Sequence, residues 1–251
     1  MTVALVTGGG RGIGRAISLA LAADGADIAV NYRKDQDAAD ATVAEIESMG
    51  RRAISYRASI DSLDDDRRMV AEVLADFGAI DILVCNAGIA SRGQSVVDTD
   101  PNELDRVIRT HAFGAHHICQ LVVPSMRASG RGSIVLVSSV ATLTHAAYAG
   151  PYNMAKAAIE ALGLTLAKEE LPNNIKVNIV APGLVDTSMG QKLMKAVADV
   201  DDMRTLDASM PFGRVCTPDD VAAVVRWLAG DQNTYVTGQK VNVDGLAAFG
   251  R

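Results

Sequence analysis

The sequence predicts an α/β protein: one Rossmann-like, doubly wound parallel sheet of about seven strands with helices on both faces. Three observations predict it. Short apolar runs recur at Val3–Thr7, Asp27–Asn31, Arg52–Ala58, Ile80–Asn86, Ser133–Ser138, Lys176–Ala181 and Lys240–Val243. They are near-continuous rather than alternating, as suits strands buried on both faces. Stretches of helical period lie between them, among them Arg15–Asp24, Asp35–Met49, Asp66–Phe77, Asn102–Met126 and Asn153–Lys168. No Pro-, Gly- or Ser-rich linker and no internal repeat divides the 251 residues, so residues 1–251 form a single domain.

Composition narrows the function. Hydrophobic residues make up 49% and charged residues 22%, which excludes a disordered chain. No apolar run reaches the ~18 residues of a membrane span. Met1–Thr7 runs directly into a strand without the pattern of a secretory signal, so a cytoplasmic protein is expected. The net charge of -6, from 24 basic and 30 acidic residues, argues against nucleic-acid binding. Cys85, Cys119 and Cys216 are far apart and odd in number. They, with His111, His116, His117 and His145, show neither a disulfide framework nor metal-ligand spacing, and no metal is expected.

The first strand ends in Thr7-Gly8-Gly9-Gly10-Arg11-Gly12-Ile13-Gly14, and a helix follows. Glycine permits positive φ and close backbone approach, and a helix start offers free N–H groups and a positive dipole end. Alone this is either a tight turn or a pyrophosphate cradle. Its place at the first strand–helix junction of an α/β chain favours the cradle. The spacing is G-x3-G-x-G, neither the common dinucleotide fingerprint nor a P-loop. At the end of the second strand, Val30-Asn31-Tyr32-Arg33-Lys34 carries no acid to bond a free ribose 2′-hydroxyl. Arg33 there and Arg11 in the turn favour a 2′-phosphate, hence NADP(H) over NAD(H). Asp35 and Asp37 follow and weaken that preference.

Tyr152 and Lys156 stand one turn apart at the start of a helix, so phenol and ammonium share a face. A neighbouring Lys lowers the pKa of a Tyr and makes it a usable acid or base. Ser139 follows the strand Ser133–Ser138, at the carboxyl edge where open α/β sheets bind ligands. Asn86-Ala87-Gly88 and Ala181-Pro182-Gly183 end two further strands.

In these pieces, taken in order with Asn178–Gly183, Thr237-Gly238-Gln239 and Val243-Asp244-Gly245, the chain resembles a short-chain dehydrogenase/reductase of the family's main type. It is similar to the 3-oxoacyl-carrier-protein reductases among them. The resemblance implies that Tyr152 is the acid/base, that Lys156 lowers its pKa and holds the nicotinamide ribose, and that Ser139 positions the substrate oxygen. It implies a cofactor-binding set of Gly8, Arg11, Gly12, Ile13, Gly14, Tyr32, Arg33, Ser59, Ile60, Asn86, Ala87, Gly88, Tyr152, Lys156, Pro182, Gly183, Val185 and Thr187. Thr187 matches the hydroxyl that contacts the carboxamide.

Two positions depart from the family. His111, in His111-Ala112-Phe113-Gly114, stands where an Asn usually helps to hold a proton-relaying water. Three readings stay open: His111 replaces the Asn as a catalytic residue, the relay is altered and turnover slow, or His111 only packs. Ser59 stands where an Asp usually contacts adenine, which predicts a weaker adenine contact.

Residues 184–212 form the expected substrate loop, with a helical piece near Met189–Val200 and methionines at 189, 194, 203 and 210. Ile89–Gln94 and Val140–Tyr148 are expected to face it, with His145 and Tyr148 toward the substrate. Asn173 and Asn174 replace an Arg frequent in carrier-protein reductases, which lowers that reading. Three functions are open: an NADPH-dependent reductase of a ketone or 3-oxoacyl thioester, an NAD-dependent sugar, polyol or alcohol dehydrogenase, and a non-catalytic NADPH sensor or scaffold. A small-molecule carbonyl is the expected partner. The resemblance implies a homotetramer sharing the Asn102–Met126 and Lys156 helices, with a further contact from Lys240–Val243 and the tail Leu246–Arg251.

Overall fold

In the computed structural model, residues 2–249 are described; Met1, Gly250 and Arg251 lie outside the described residues, with the end of the expected tail contact. Strands β1 (Thr2–Val6), β2 (Ala26–Tyr32), β3 (Ala53–Arg57), β4 (Ile82–Cys85), β5 (Gly132–Val137), β6 (Ile175–Pro182) and β7 (Lys240–Val243) form one sheet. Its order is β3-β2-β1-β4-β5-β6-β7, and every pairing is parallel. Helices α1 (Gly12–Ala23), α2 (Gln36–Ser48), α3 (Leu63–Phe77), α4 (Pro101–Ile108), α5 (Gly114–Ser129), α6 (Ala141–Thr144), α7 (Gly150–Glu170), α8 (Ser188–Ala198) and α9 (Pro218–Ala229) connect the strands.

The apolar runs fill two cores because successive strand residues point to opposite faces. On β1, Val3 and Leu5 pack with Met69, Val73, Ile118, Val122 and Ile159 under α3, α5 and α7. Ala4 and Val6 pack with Ile17, Leu21, Ile46, Val221 and Val225 under α1, α2 and α9. The sheet is therefore covered on both sides, as its continuous apolar strands require. Because every strand is parallel, the loops that follow the strands open at one edge of the sheet, and there the glycine turn, Asn86–Gly88, Ser139 and Gly183 collect.

One expected helix is broken. Within Asn102–Met126, Arg109–Phe113 forms a π-turn between α4 and α5. Such an insertion re-aims the side chains that it carries, and it is frequent at functional sites. It brings His111 into the interior at 2% exposure.

Away from that edge, the fully buried Asp66 on α3 has no hydrogen-bond partner for either oxygen. The nearest basic side chain is His117 on α5, its Nδ1 at 3.7 Å, and burial lowers the pKa of that ring. Burial first, then Asp65 and Asp61, push the Asp66 carboxyl up to about 7.

Candidate active site

The glycine turn is locked by side chains from three directions. Gly8 N–H donates to Asn31 Oδ1 at 3.1 Å, and Gly9 N–H to the Asn31 carbonyl at 2.9 Å. The Ser18 and Thr42 hydroxyls donate to the Gly9 and Gly10 carbonyls. Asn86 Nδ2 donates to the Thr7 carbonyl at 2.9 Å, and the Thr7 hydroxyl accepts from Asn86 N–H and Ala87 N–H. Asn86 therefore holds the turn rather than reaching out of it. Gly8 and Gly12 have φ of 62° and 53°, and a Cβ on Gly14 would lie 2.1 Å from the Gly8 carbonyl oxygen. Only glycine fits that approach.

The turn suits a pyrophosphate. α2, α3, α4, α8 and α9 each begin with a side-chain cap, whereas Arg11 at the start of α1 supplies none. The first N–H groups of α1 remain open at a positive dipole end. Thr187, which caps α8 by accepting from Gly190 N–H at 3.1 Å, comes within 3.5 Å of a Cβ built on Gly12. The two halves of the expected cofactor set thus meet across the turn. Ile13 and Tyr32 pack against the α1-side core. The buried Val185 bridges to Cys216.

Beyond Tyr32 opens a cavity of about 690 Å³ lined by Arg33, Lys34, Arg57, Ser59, Asp65, Arg68 and Arg106. Arg68 is paired with Asp65 and Glu72. Arg33, Lys34, Arg57 and Arg106 form no ion pair among the described residues. The sequence reading missed Arg57 and Arg106, which reach the cavity from β3 and α4. Arg11 lies outside the cavity wall, where its exposed side chain pairs with Asp35 at 3.6 Å. Ser59 N–H donates to Asp65 and its hydroxyl to Asp61. Gly114 lets α5 approach the Ile60 carbonyl, to which a Cβ would come within 2.4 Å.

At the end of β5, Ser139, Tyr152 and Lys156 converge. The Ser139 hydroxyl accepts from Ala141 N–H at 3.2 Å and lies 3.5 Å from the Pro182 carbonyl, on the Tyr152 side of the strand end, where it favours the phenolate. Gly183 N–H donates to Val243 and so ties that loop to β7. Lys156 Nζ donates to the Val137 carbonyl at 2.8 Å and lies 5.6 Å from the Tyr152 ring centre. Lys156 is 3% exposed, and burial lowers it to about 7 against the raising effect of Glu160. The expected lowering of the Tyr152 pKa is not found. Burial raises the phenol, opposed by the neighbouring Ser139 hydroxyl. Tyr152 is thus held in its protonated form.

His111 sits edge-on to Tyr152, with ring centres 5.5 Å apart. Its Nε2 faces both the Ile89 N–H, at 3.1 Å, and the Ile89 carbonyl, at 2.8 Å. One nitrogen serves one of these at a time, according to tautomer. Nδ1 is buried without a partner. Burial, then Lys156, lowers the ring to about 3, so it is neutral through the physiological range. Gly88 makes room: a Cβ there would lie 2.4 Å from His111 Cε1. Of the expected substrate-facing loop, His145 and Tyr148 have left-handed φ of 43° and 65° and are exposed. Among the described residues no group of three or more His, Cys, Asp or Glu could hold a metal ion, and no helix is long and apolar enough to cross a membrane.

The glycine turn, the open helix start and the Ser–Tyr–Lys cluster define a nicotinamide-dependent oxidoreductase. The chain belongs to the short-chain dehydrogenase/reductase family and acts on CH–OH groups and their carbonyl counterparts with NAD(P)(H). A family profile described as enoyl-(acyl carrier protein) reductase matches residues 8–245. The chain is similar to 3-oxoacyl-(acyl-carrier-protein) reductase of Staphylococcus epidermidis, 35% identical over 243 residues, covering 96% of this chain and 97% of the relative. It is also similar to an L-rhamnose 1-dehydrogenase (NAD(P)(+)) of a Sphingomonas, 34% identical, covering 96% and 94%. A crystal structure of NAD+-bound xylitol dehydrogenase superposes with a TM-score of 0.90 at 30% identity, covering 97% and 98%.

Proposed function

We propose that this protein is an NADPH-preferring carbonyl reductase acting on a ketone or 3-oxoacyl thioester. The convergence of Ser139, Tyr152 and Lys156 beside the uncapped start of α1 carries the reading. The cofactor preference rests on the unpaired cations Arg33, Lys34, Arg57 and Arg106, which suit a 2′-phosphate and leave no carboxylate at the end of β2. Gly8–Gly14 and the α1 N–H groups would hold the pyrophosphate, and Thr187 the nicotinamide end.

The bound nicotinamide supplies the hydride. As negative charge builds on the carbonyl oxygen, Ser139 donates a hydrogen bond to it and Tyr152 Oη delivers its proton. The Lys156 ammonium then stands near the phenolate and stabilises it by charge. Preorganisation is visible in Ser139, whose hydroxyl is fixed by Ala141 before any substrate arrives. His111 serves this arrangement as a neutral prop between Ile89 and Tyr152 rather than as an acid.

A second reading, an NAD-dependent sugar or polyol dehydrogenase, draws on Asp35. That carboxylate neutralises Arg11 at the mouth of the turn. The xylitol and L-rhamnose dehydrogenases show such activities in similar chains. Fluorescence titration with NADPH and NADH, followed by acetoacetyl thioester, diketones and ketoses, decides between them. Tighter NADPH binding that Arg33→Asp reverses supports the first reading; an NADPH/NADH ratio unmoved by Arg33→Asp refutes it. The proposal includes a cytoplasmic homotetramer, which light scattering tests.

A further inference from the structure

Tyr152, Lys156 and Glu160 lie at i, i+4 and i+8 on α7, so they form one stripe along the helix. The first two belong to the site above; the third is unexplained by it. Glu160 Oε1 accepts from the Ser138 hydroxyl at 2.7 Å and from the Thr142 hydroxyl at 2.7 Å, and pairs with Lys240 Nζ at 2.8 Å. Lys240 Nζ also donates to the Thr142 hydroxyl at 2.6 Å. The Glu160 and Lys240 side chains are only 18% and 21% exposed. One carboxylate oxygen thus ties together the end of β5, α6, α7 and β7. Ser138 adjoins Ser139, and its hydroxyl also lies 3.5 Å from the Lys156 carbonyl.

We propose that Glu160, partly neutralised by Lys240, is a positioning residue that keeps the buried Lys156 in its ammonium form and holds the Ser139 strand end against α7. The electrostatic half follows from the surroundings of Lys156. Its Nζ is inside the protein with a single hydrogen bond, to the Val137 carbonyl. Burial there penalises the charged form. No carboxylate forms an ion pair with it among the described residues, and Glu160 is the acid that opposes the penalty through space. The other titratable groups facing it are Tyr152, protonated, and His111, neutral, so neither supplies charge. Lys240 bears on Lys156 through Glu160: its charge partly cancels that of the carboxylate, which the Ser138 and Thr142 hydroxyls also hold in place. The structural half follows from Ser138 and Thr142, whose donors Glu160 gathers from either side of Ser139.

This inference rests on the proposed role of Lys156, and its test is chosen to stand apart from turnover. Protein labelled with ¹³C at the lysine ε-carbon is titrated by NMR without cofactor, with Lys156 assigned by its loss in Lys156→Met. Glu160→Gln keeps the size and one acceptor but removes the charge. The Lys156 midpoint is expected to fall by on the order of one pH unit in that variant. Loosened packing would instead admit water and raise it, so an unchanged or raised midpoint overturns the proposal. Lys240→Met leaves Glu160 less neutralised and is expected to raise the midpoint; a fall or no change there overturns it too, even if Glu160→Gln does not fold. In the holoenzyme, the alkaline limb of the kcat profile is expected to move in the same two directions. If the midpoints move as stated and no carbonyl is reduced, the functional reading fails and the electrostatic role stands.

Discussion

α7 and α8 both flank the site, and they are built in opposite ways. α7 buries Pro151, Ala155, Lys156, Ile159, Gly163, Leu166, Ala167 and Glu170, whereas α8 buries nothing. α7 lies so close to the sheet that a Cβ on Gly163 would come within 2.9 Å of Ile179 and Leu136. α8 carries Met189, Leu193 and Val197 at i, i+4 and i+8, all exposed. It is held at its ends, by the Thr187 cap and by the Arg204–Asp186 pair just beyond it. The groups assigned to chemistry are thus bolted to the core, while those expected to choose the substrate sit on a segment that the core barely touches. Reactivity can be held constant while selectivity varies.

The sharpest way to break this contrast is Tyr152→Phe. It should lower turnover by roughly 10²–10⁴-fold and leave NADPH affinity unchanged, as measured by steady-state rates and fluorescence titration. Near-native rates would remove Tyr152 from the acid role. Next in size, Gly163→Val should cost about 2–3 kcal/mol in urea unfolding, because the Ile179 and Leu136 side chains that it would meet are packed in the buried core. A neutral result would mean that α7 is less rigidly seated than its contacts state.

The scaffold is not optimised throughout, and Asp66 tests that. Its folded pKa of about 7 lies above the unfolded value of ~3.9, so the folded chain holds this proton more tightly. The sign is therefore that its contribution is favourable at low pH and is lost as pH rises from about 4 to about 7. Asp66→Asn should raise stability at pH 8 by roughly 1–3 kcal/mol and do little at pH 4. Thermal melts at both pH values check it; equal effects would dismiss the buried charge as the cause. The smallest effect is expected on α8. Leu193→Ser should change stability by less than about 0.5 kcal/mol, yet shift KM for an apolar ketone severalfold. A large loss of stability there would erase the contrast between the two helices.

Most of the sheet was legible because parallel strands need continuous apolar runs, and each run from Val3–Thr7 to Lys240–Val243 became a strand within a residue or two. The Gly8–Gly14 turn and the Ser139–Tyr152–Lys156 set were legible because their geometry is local or rides on one helix. What was not legible depends on residues that meet only in three dimensions. Arg57 and Arg106 join Arg33 from separate elements, and Arg11 turns instead to Asp35. Asn31 looks like an ordinary strand residue, yet its side chain and carbonyl hold the glycine turn. The π-turn at Arg109–Phe113 leaves no mark on the apolar period, since one extra residue is absorbed where His111 reaches across to Ile89. Glu160 reads as a solvated helix charge until Lys240, far along the chain, arrives beside it.

The strand order has a consequence for how the protein is made. β1 leaves the ribosome first but lies in the middle of the sheet, between β2 and β4. Its β2 neighbour follows closely, whereas β4 begins only at Ile82. At a synthesis rate of roughly 5–20 residues per second, one edge of β1 waits for several seconds without its partner. The same holds later for β6 (Ile175–Pro182), whose outer edge is closed only when β7 follows at Lys240–Val243. An apolar, unpaired edge is a template for wrong pairing. The β4-facing edge of β1 and the β7-facing edge of β6 are thus the two that wait longest for a partner as the strands emerge.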